Sequence, residues 1–251
     1  MSKGRARLAI AQGVSVWVLE APHGFGDAAV HAHHAIQITA SLSGDLALST
    51  GMETLREPIL AVKADAPHRF EARGLLAFVF VEPESQMGRA LTASLFSERP
   101  LVALDHSRLA ALFRPFAATF ENGLGKDELL RVGDGIVEQL APGTRVRLPD
   151  PRIQAIIDYA AAHLDEPLSL ETASRGIYLS SSRLRHLFVE QTGLAFKTYI
   201  LWLRLVRAVQ SYSEGCNLTE AAHEAGFSDS AHFSRIFKRT FGLPATTLTR
   251  T

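Results

Sequence analysis

The chain has 251 residues, 47% of them hydrophobic, with 26 Lys and Arg balancing 26 Asp and Glu. That length and apolar content suit two packed domains, and zero net charge excludes a protein that holds polyanions by bulk charge alone. One cysteine, Cys216, excludes an internal disulfide, and no apolar run approaches the roughly 18 residues of a membrane span, so the composition reads as cytoplasmic; Leu8 to Ala11 is too short for a secretory signal.

Residues 1 to 100 are predicted as short strands, over 14–20, 31–42, 45–49, 58–62 and 75–81, each bounded by Gly, Pro, Asp or Glu. Strands of this spacing build a barrel or jelly roll. Alternation along the second strand places His31, His33, Gln37 and Thr39 on one side. Ile36, Ile38, Ala40 and Leu42 take the other, together with His34, which reads as structural. Two imidazoles and an amide then face the same space.

Helices follow, over 107–121 with Leu109, Leu112, Phe113, Phe116 and Phe120 at helical spacing, and over 127–140 after the Gly123 to Gly125 break. Their apolar stripes suit packing on the chain's own sheet or pairing between two copies through residues 107–140, and the pattern does not choose. The segment 141–151 holds Pro142, Gly143, Pro149 and Pro151 without a helical stripe, and is predicted to connect residues 1–140 to a second domain over 152–251.

In that domain, 168–175 is predicted as a scaffold helix and 180–188 as a second helix that buries Leu184, Leu187 and Phe188 and presents Ser182, Arg185 and His186. One long helix spans 196–212, free of glycine and proline. A second pair then repeats the pattern. Thr219 is predicted to cap the helix 218–225, Gly226 makes a tight turn, and the helix from Ser230 turns Phe233, Ile236 and Phe237 inward and Ala231, Ser234, Arg235 and Lys238 outward.

Residues 152–251 thereby resemble the DNA-binding domain of the AraC/XylS family of bacterial transcription regulators, two helix-turn-helix units joined by a linker helix. The resemblance rests on Ala222, Gly226-Phe227, His232-Phe233, Arg235, Phe237-Lys238 and Phe241-Gly242, with Tyr199, Arg204-Leu205 and Ala208 in the linker helix. The chain departs from the family at the first turn, where Tyr178 replaces the usual glycine and Gly176 stands two places earlier, and at Pro244, one place early. The stretch from His31 to Gly44 resembles the first motif of the cupin superfamily, and Ala66-Pro67-His68 the second. Such a domain often precedes the AraC/XylS module, so the fold implied is an all-β cupin-like barrel or jelly roll with trailing helices, then an all-α domain with two helix-turn-helix units.

What the resemblance implies is a sequence-specific regulator of transcription that binds double-stranded DNA and answers to a small-molecule effector, with RNA polymerase as a further partner if it activates. Its base-reading positions map to Ser182, Arg185, His186, Ser230, Ala231, Ser234 and Arg235, with Ser180, Lys238 and Arg239 on the phosphates. Arginine is the strongest reader, because its planar fork binds guanine O6 and N7 together. Arg152, Arg183, Arg185, Arg204 and Arg207 are expected to supply a local basic surface. The effector pocket maps to His31, His33, Gln37 and His68. Metal-binding cupins hold a divalent ion with imidazoles and a carboxylate; here His31, His33 and His68 match the imidazoles while Gln37 replaces the glutamate, which removes the anionic ligand and argues against an enzyme. The alternative left open is a metal-dependent cupin enzyme or metal sensor fused to a DNA-binding module.

Overall fold

The computed structural model describes residues 5–25, 29–146 and 148–248. Of these, 5–146 and 237–248 form one compact unit and 148–236 a second. The division falls once inside the 141–151 connection, whose Arg147 lies outside the described residues, and once inside the last helix, whereas composition alone groups 152–251 together.

In the first unit, β1 (Arg5–Ala11), β2 (Val14–Ala21), β3 (Ile36–Ser49), β4 (Thr54–Leu55), β5 (Ile59–Val62), β6 (Arg69–Val81) and β7 (Leu101–Ala103) form one antiparallel sheet in the order β1-β2-β6-β3-β5-β7, with β4 on β3. The predicted barrel is therefore a sheet that does not close. Its edges are β1 and β7, and β7, three residues long, pairs only with β5 among the described residues. The strand predicted over 31–42 begins at Ile36 and continues through the one predicted over 45–49, bending at a bulge between Ser41 and Ser43. Gly44 and Gly74 face each other across that ladder, where a Cβ on Gly44 would stand 2.2 Å from the Arg73 carbonyl oxygen.

Alternation separates the sheet into two faces. Val16 and Val18, Ile36 and Ile38, and Val79 and Val81 turn to one side and pack with Leu109, Phe113, Phe116, Leu129 and Ile136. Those residues belong to α2 (His106–Ala117) and α4 (Lys126–Leu140), which follow α1 (Gln86–Leu95); α3 (Thr119–Asn122) lies between them. The helix predicted over 107–121 is thus two: Ala118 leaves the helical conformation and donates its N–H to Pro115. Both apolar stripes are used on the chain's own sheet, and α4 comes so close that a Cβ on Gly133 would meet Val16 at 2.6 Å. On the opposite face, register sets Trp17 opposite Phe78 and Gln37 opposite Phe80.

The second unit is helical. Asp150 caps α5 (Pro151–Ala162), Ser169 caps the short α6 (Leu170–Ala173) in a capping box, and Ser180 caps α7 (Ser181–Thr192). Ile153, Ile156 and Ala160 of α5 pack with Leu184, Leu187 and Phe188 of α7 and with Phe196, Tyr199 and Ile200 of the long α8 (Phe196–Glu214). Next come α9 (Leu218–Glu224) and α10 (Ser230–Phe241), the latter running into the first unit, and a single 3-10 turn over Ala245–Thr247. The cap of α9 is Asn217, not Thr219: its side-chain oxygen accepts from the Thr219 and Glu220 N–H groups, while Glu220 reaches back to the Asn217 N–H. Asparagine is the better acceptor here, and the reciprocal glutamate fixes the register.

Candidate DNA-reading surface and imidazole pocket

Each helix-turn-helix unit buries one side of its second helix and leaves the other in solvent. In α7, Leu184, Leu187 and Phe188 are buried while Ser182, Arg185 and His186 are exposed. In α10, Phe233 and Ile236 are buried, Ala231 and Arg235 are exposed, and Ser230 and Ser234 are half-buried. Lys238 and Arg239 are exposed further along. The Ser180 hydroxyl is occupied as a cap, accepting from the Arg183 N–H at 3.3 Å. Arg185 stands 3.6 Å from Glu171, both well exposed, so this pair is weak and easily exchanged for another anion.

The turns carry the geometry. Gly176 lies at φ +87°, so the first turn finds its left-handed residue where the sequence displaced it, and Tyr178 stands fully exposed. Gly226 lies at φ +78° in the second turn. Asp229 opens α10 by accepting from the His232 N–H at 2.6 Å, a bond that holds its carboxyl below the usual carboxylate range. Arg204 donates to the carbonyl oxygens of Leu164 and Glu166 at 3.1 and 3.2 Å, and Arg152 is bonded to Asp150. Arg204, expected in an open basic surface, is engaged in structure instead, whereas Arg152 stays exposed beside Asp150. Within this unit a cleft of about 840 Å³ lies between Leu168, Phe188, Val189, Phe196 and Ile200, with Arg185 and Lys197 at its margin.

On the open face of the first unit, His31, His33, Gln37 and His68 are all buried. His31 and His68 exchange main-chain hydrogen bonds, which brings their rings to 4.3 Å, and His33 stands 5.0 Å from His68. The Nδ1 atoms of His31, His33 and His68 lie 2.9, 3.0 and 2.8 Å from the carbonyl oxygens of Ala29, Ala35 and Ala66. A carbonyl only accepts, so Nδ1 of His31 and of His68 carries the proton and their Nε2 keeps its lone pair, whereas both ring nitrogens of His33 face oxygen acceptors. Nε2 of His33 lies 2.9 Å from Oε1 of Gln37, whose amide nitrogen donates to Thr39 Oγ1 at 2.8 Å; Nε2 of His68 is buried with no hydrogen-bond partner among the described residues. One ligand atom from each ring lies within 4.8 Å of the others. Burial, and then the neighbouring imidazoles, push His33 down to about 4 and His68 to about 2, while burial lowers His31 as well. All three rings are therefore neutral near pH 7.

His34 behaves oppositely. Its Nδ1 lies 2.9 Å from Asp65 and its Nε2 3.2 Å from Glu84. Burial alone would lower its pKa, but the two carboxylates together outweigh that and hold it at about 9, so His34 is a buried cation tying Asp65 and Glu84 to the segment just before β3. Sequence alternation separates His34 from the pocket histidines but gives no sign of Asp65 or Glu84. Nor does it reveal that Phe241 packs on the pocket, 4.9 Å from Trp17, 5.8 Å from His33 and 6.0 Å from Phe80.

Residues 174–251 match the family described as "Helix-turn-helix domain". The HTH-type transcriptional regulator GbdR of Pseudomonas aeruginosa is 32% identical over 95 residues, which cover 38% of this chain and 26% of that protein. The transcriptional activator RhaS of Escherichia fergusonii is 35% identical over 95 residues, covering 37% of this chain and 34% of RhaS. The match thus spans only about a quarter to a third of the length of these relatives. The crystal structure of ToxT from Vibrio cholerae O395 aligns with 95% of this chain and 98% of its own at a TM-score of 0.57 and 14% identity, a likeness of fold that extends through the sheet domain. Among the described residues no helix is long and apolar enough to cross a membrane.

Proposed function

We propose, on the premise that residues 174–251 are an AraC/XylS-type helix-turn-helix domain, that the chain is a sequence-specific DNA-binding regulator of transcription governed by an effector bound at its imidazole pocket. The observation that carries this reading is the doubled arrangement of α7 and α10, each with an apolar side buried and a short polar side in solvent. Helices so presented enter successive major-groove turns roughly 34 Å apart, and one polypeptide can read an asymmetric site. Ser182, Arg185 and His186 of α7, and Ser230, Ala231, Ser234 and Arg235 of α10, are assigned to base edges; Ser180, through its main chain, with Lys238 and Arg239, is assigned to phosphates. The functional division follows 1–140 for sensing and 152–251 for reading, with 141–151 between.

For the pocket, His31, His33, Gln37 and His68 supply neutral nitrogen acceptors and one amide. An organic effector with a hydroxyl or N–H donor would satisfy the lone pair of His68, and one ToxT structure is described with an unsaturated fatty acid bound. A zinc-class ion is the second reading, favoured by three buried imidazoles that each bring a ligand atom within 4.8 Å of the others, with Nδ1 of each against a carbonyl oxygen. His31, His33 and His68 would hold it, and bound there it would supply charge at a neutral site. Regulation rather than turnover suits the relatives, which are transcriptional regulators, and the missing carboxylate. A homodimer through 107–140 would use the outer sides of α2 and α4, and RNA polymerase is the partner if the protein activates.

Selection of bound sequences from random duplexes with the full chain tests the reading. A bipartite motif with halves about one helical turn apart is expected. Recovery of no motif refutes it.

A further inference from the structure

The turn that leads into α7 alternates between core and solvent. Ile177 and Leu179 pack against the core of the second unit, while Gly176, Tyr178 and Ser180 are exposed, so the inward side pins the segment and the outward side is presented on a fixed frame. Tyr178 stands fully exposed on that frame, two residues before the cap of α7, and among the described residues its hydroxyl has no partner. Apart from its own chain neighbours, nothing lies within 4 Å of where a Cβ on Gly176 would stand, which leaves the adjoining backbone open to close approach.

Charge follows the same edge. From Thr172 to Val189 the chain carries Arg175, Arg183, Arg185 and His186 and no acid, although Lys and Arg equal Asp and Glu over the whole sequence. All four basic residues are exposed. Arg185 faces Glu171 at 3.6 Å, whereas Arg175 and Arg183 enter no ion pair among the described residues. Two uncommitted guanidiniums therefore flank the phenol along the chain, one on the turn and one on the first part of α7.

In a docked helix-turn-helix the second helix meets base edges with its N-terminal residues and the first helix crosses the backbone, so the turn between them lies on the rim of the groove, where the phosphates are. Tyrosine hydroxyls and guanidiniums are among the donors that phosphates take. We propose that Arg175, Tyr178 and Arg183 form a phosphate clamp at the first turn, with Tyr178 donating its hydroxyl to one phosphate and the two arginines neutralising neighbouring ones. This rests on α7 being a reading helix. The clamp sets where α7 sits on the duplex and carries no base preference of its own. Its members leave different traces: each arginine displaces counterions from the DNA, whereas a neutral phenol displaces none.

The test takes the full chain, a duplex selected by it and the single-base variants of that duplex, and measures affinity across roughly 50 to 200 mM salt. Tyr178→Phe should weaken binding roughly tenfold, equally on all of these duplexes and at every salt concentration, with the thermal midpoint unchanged. Arg175→Ala and Arg183→Ala should each lower the slope of log affinity against log salt by about 1 and leave every base preference intact. Unaltered affinity in Tyr178→Phe, a loss in Tyr178→Phe confined to one base pair, or unaltered salt slopes in both arginine variants overturns the clamp while the reading assignment stands. Failure of the unaltered chain to bind any duplex overturns both.

Discussion

Gly226 and Arg204 are packed so closely that a Cβ at position 226 would stand 3.0 Å from the arginine Nε and 2.9 Å from the Leu164 carbonyl oxygen that this arginine binds. The turn of the second helix-turn-helix is thereby locked to the segment that follows α5 by one guanidinium. Gly226→Ala meets both a left-handed φ and this close approach, and should lower stability by about 1–3 kcal/mol in urea unfolding. Arg204→Lys should also destabilise, since an ammonium cannot span the carbonyls of Leu164 and Glu166 as the planar fork does. Unchanged midpoints in both variants would remove the clamp from the account.

Phe233 and Phe237 belong to one helix but to different cores. Phe233 is buried against Phe227 at 5.5 Å in the second unit, whereas Phe237 stacks on Trp17 in the first. Phe233→Ala should cost about 3–5 kcal/mol and melt α9 and α10 first. Phe237→Ala should instead raise hydrogen exchange around Trp17 in β2. If exchange in Phe237→Ala rises only in α9, the grouping of residues 237–248 with the sheet is wrong.

Stability should peak near pH 6.5 and decline on both sides. His34 has a folded pKa raised to about 9, so its contribution is complete below its unfolded value near 6.5 and is lost as pH rises through 9. That contribution is on the order of 3 kcal/mol, less what the half-exposed Asp65 loses to solvent. His33 and His68 have lowered values, so their contribution is complete above 6.5 and is lost as pH falls toward 4. Melting temperature across pH 4 to 9 checks both limbs, and His34→Gln should flatten the alkaline one alone. An alkaline limb that survives His34→Gln would show that another group controls it.

Much of this was legible in the sequence because period and turn chemistry agreed. The apolar stripe of α10, Gly226 and the long uninterrupted α8 are local signals, and alternation along 31–42 separated the helix-covered Ile36 and Ile38 from Gln37 and Thr39. Strand β1, the short β4 and β7, and the helices α1 and α5 are not among the predicted elements; the two- and three-residue β4 and β7 gain their order from neighbouring strands rather than from a pattern of their own. The start of β3 was misplaced for a related reason: His31 meets His68 in an isolated bridge, outside any strand. Long-range pairing also hid the roles of Arg204, Glu84 and Phe241, which depend on partners far along the chain. No periodicity encodes those partners.

The central claim is that α7 and α10 read bases. Its most direct test measures Arg185→Ala and Arg235→Ala of the full chain on a selected duplex and on every single-base variant of it. Each substitution should weaken binding by about 1–3 kcal/mol and erase preference at one base pair, the two positions lying about one helical turn apart. Equal loss of affinity across all sequences, with every base preference intact, would contradict it.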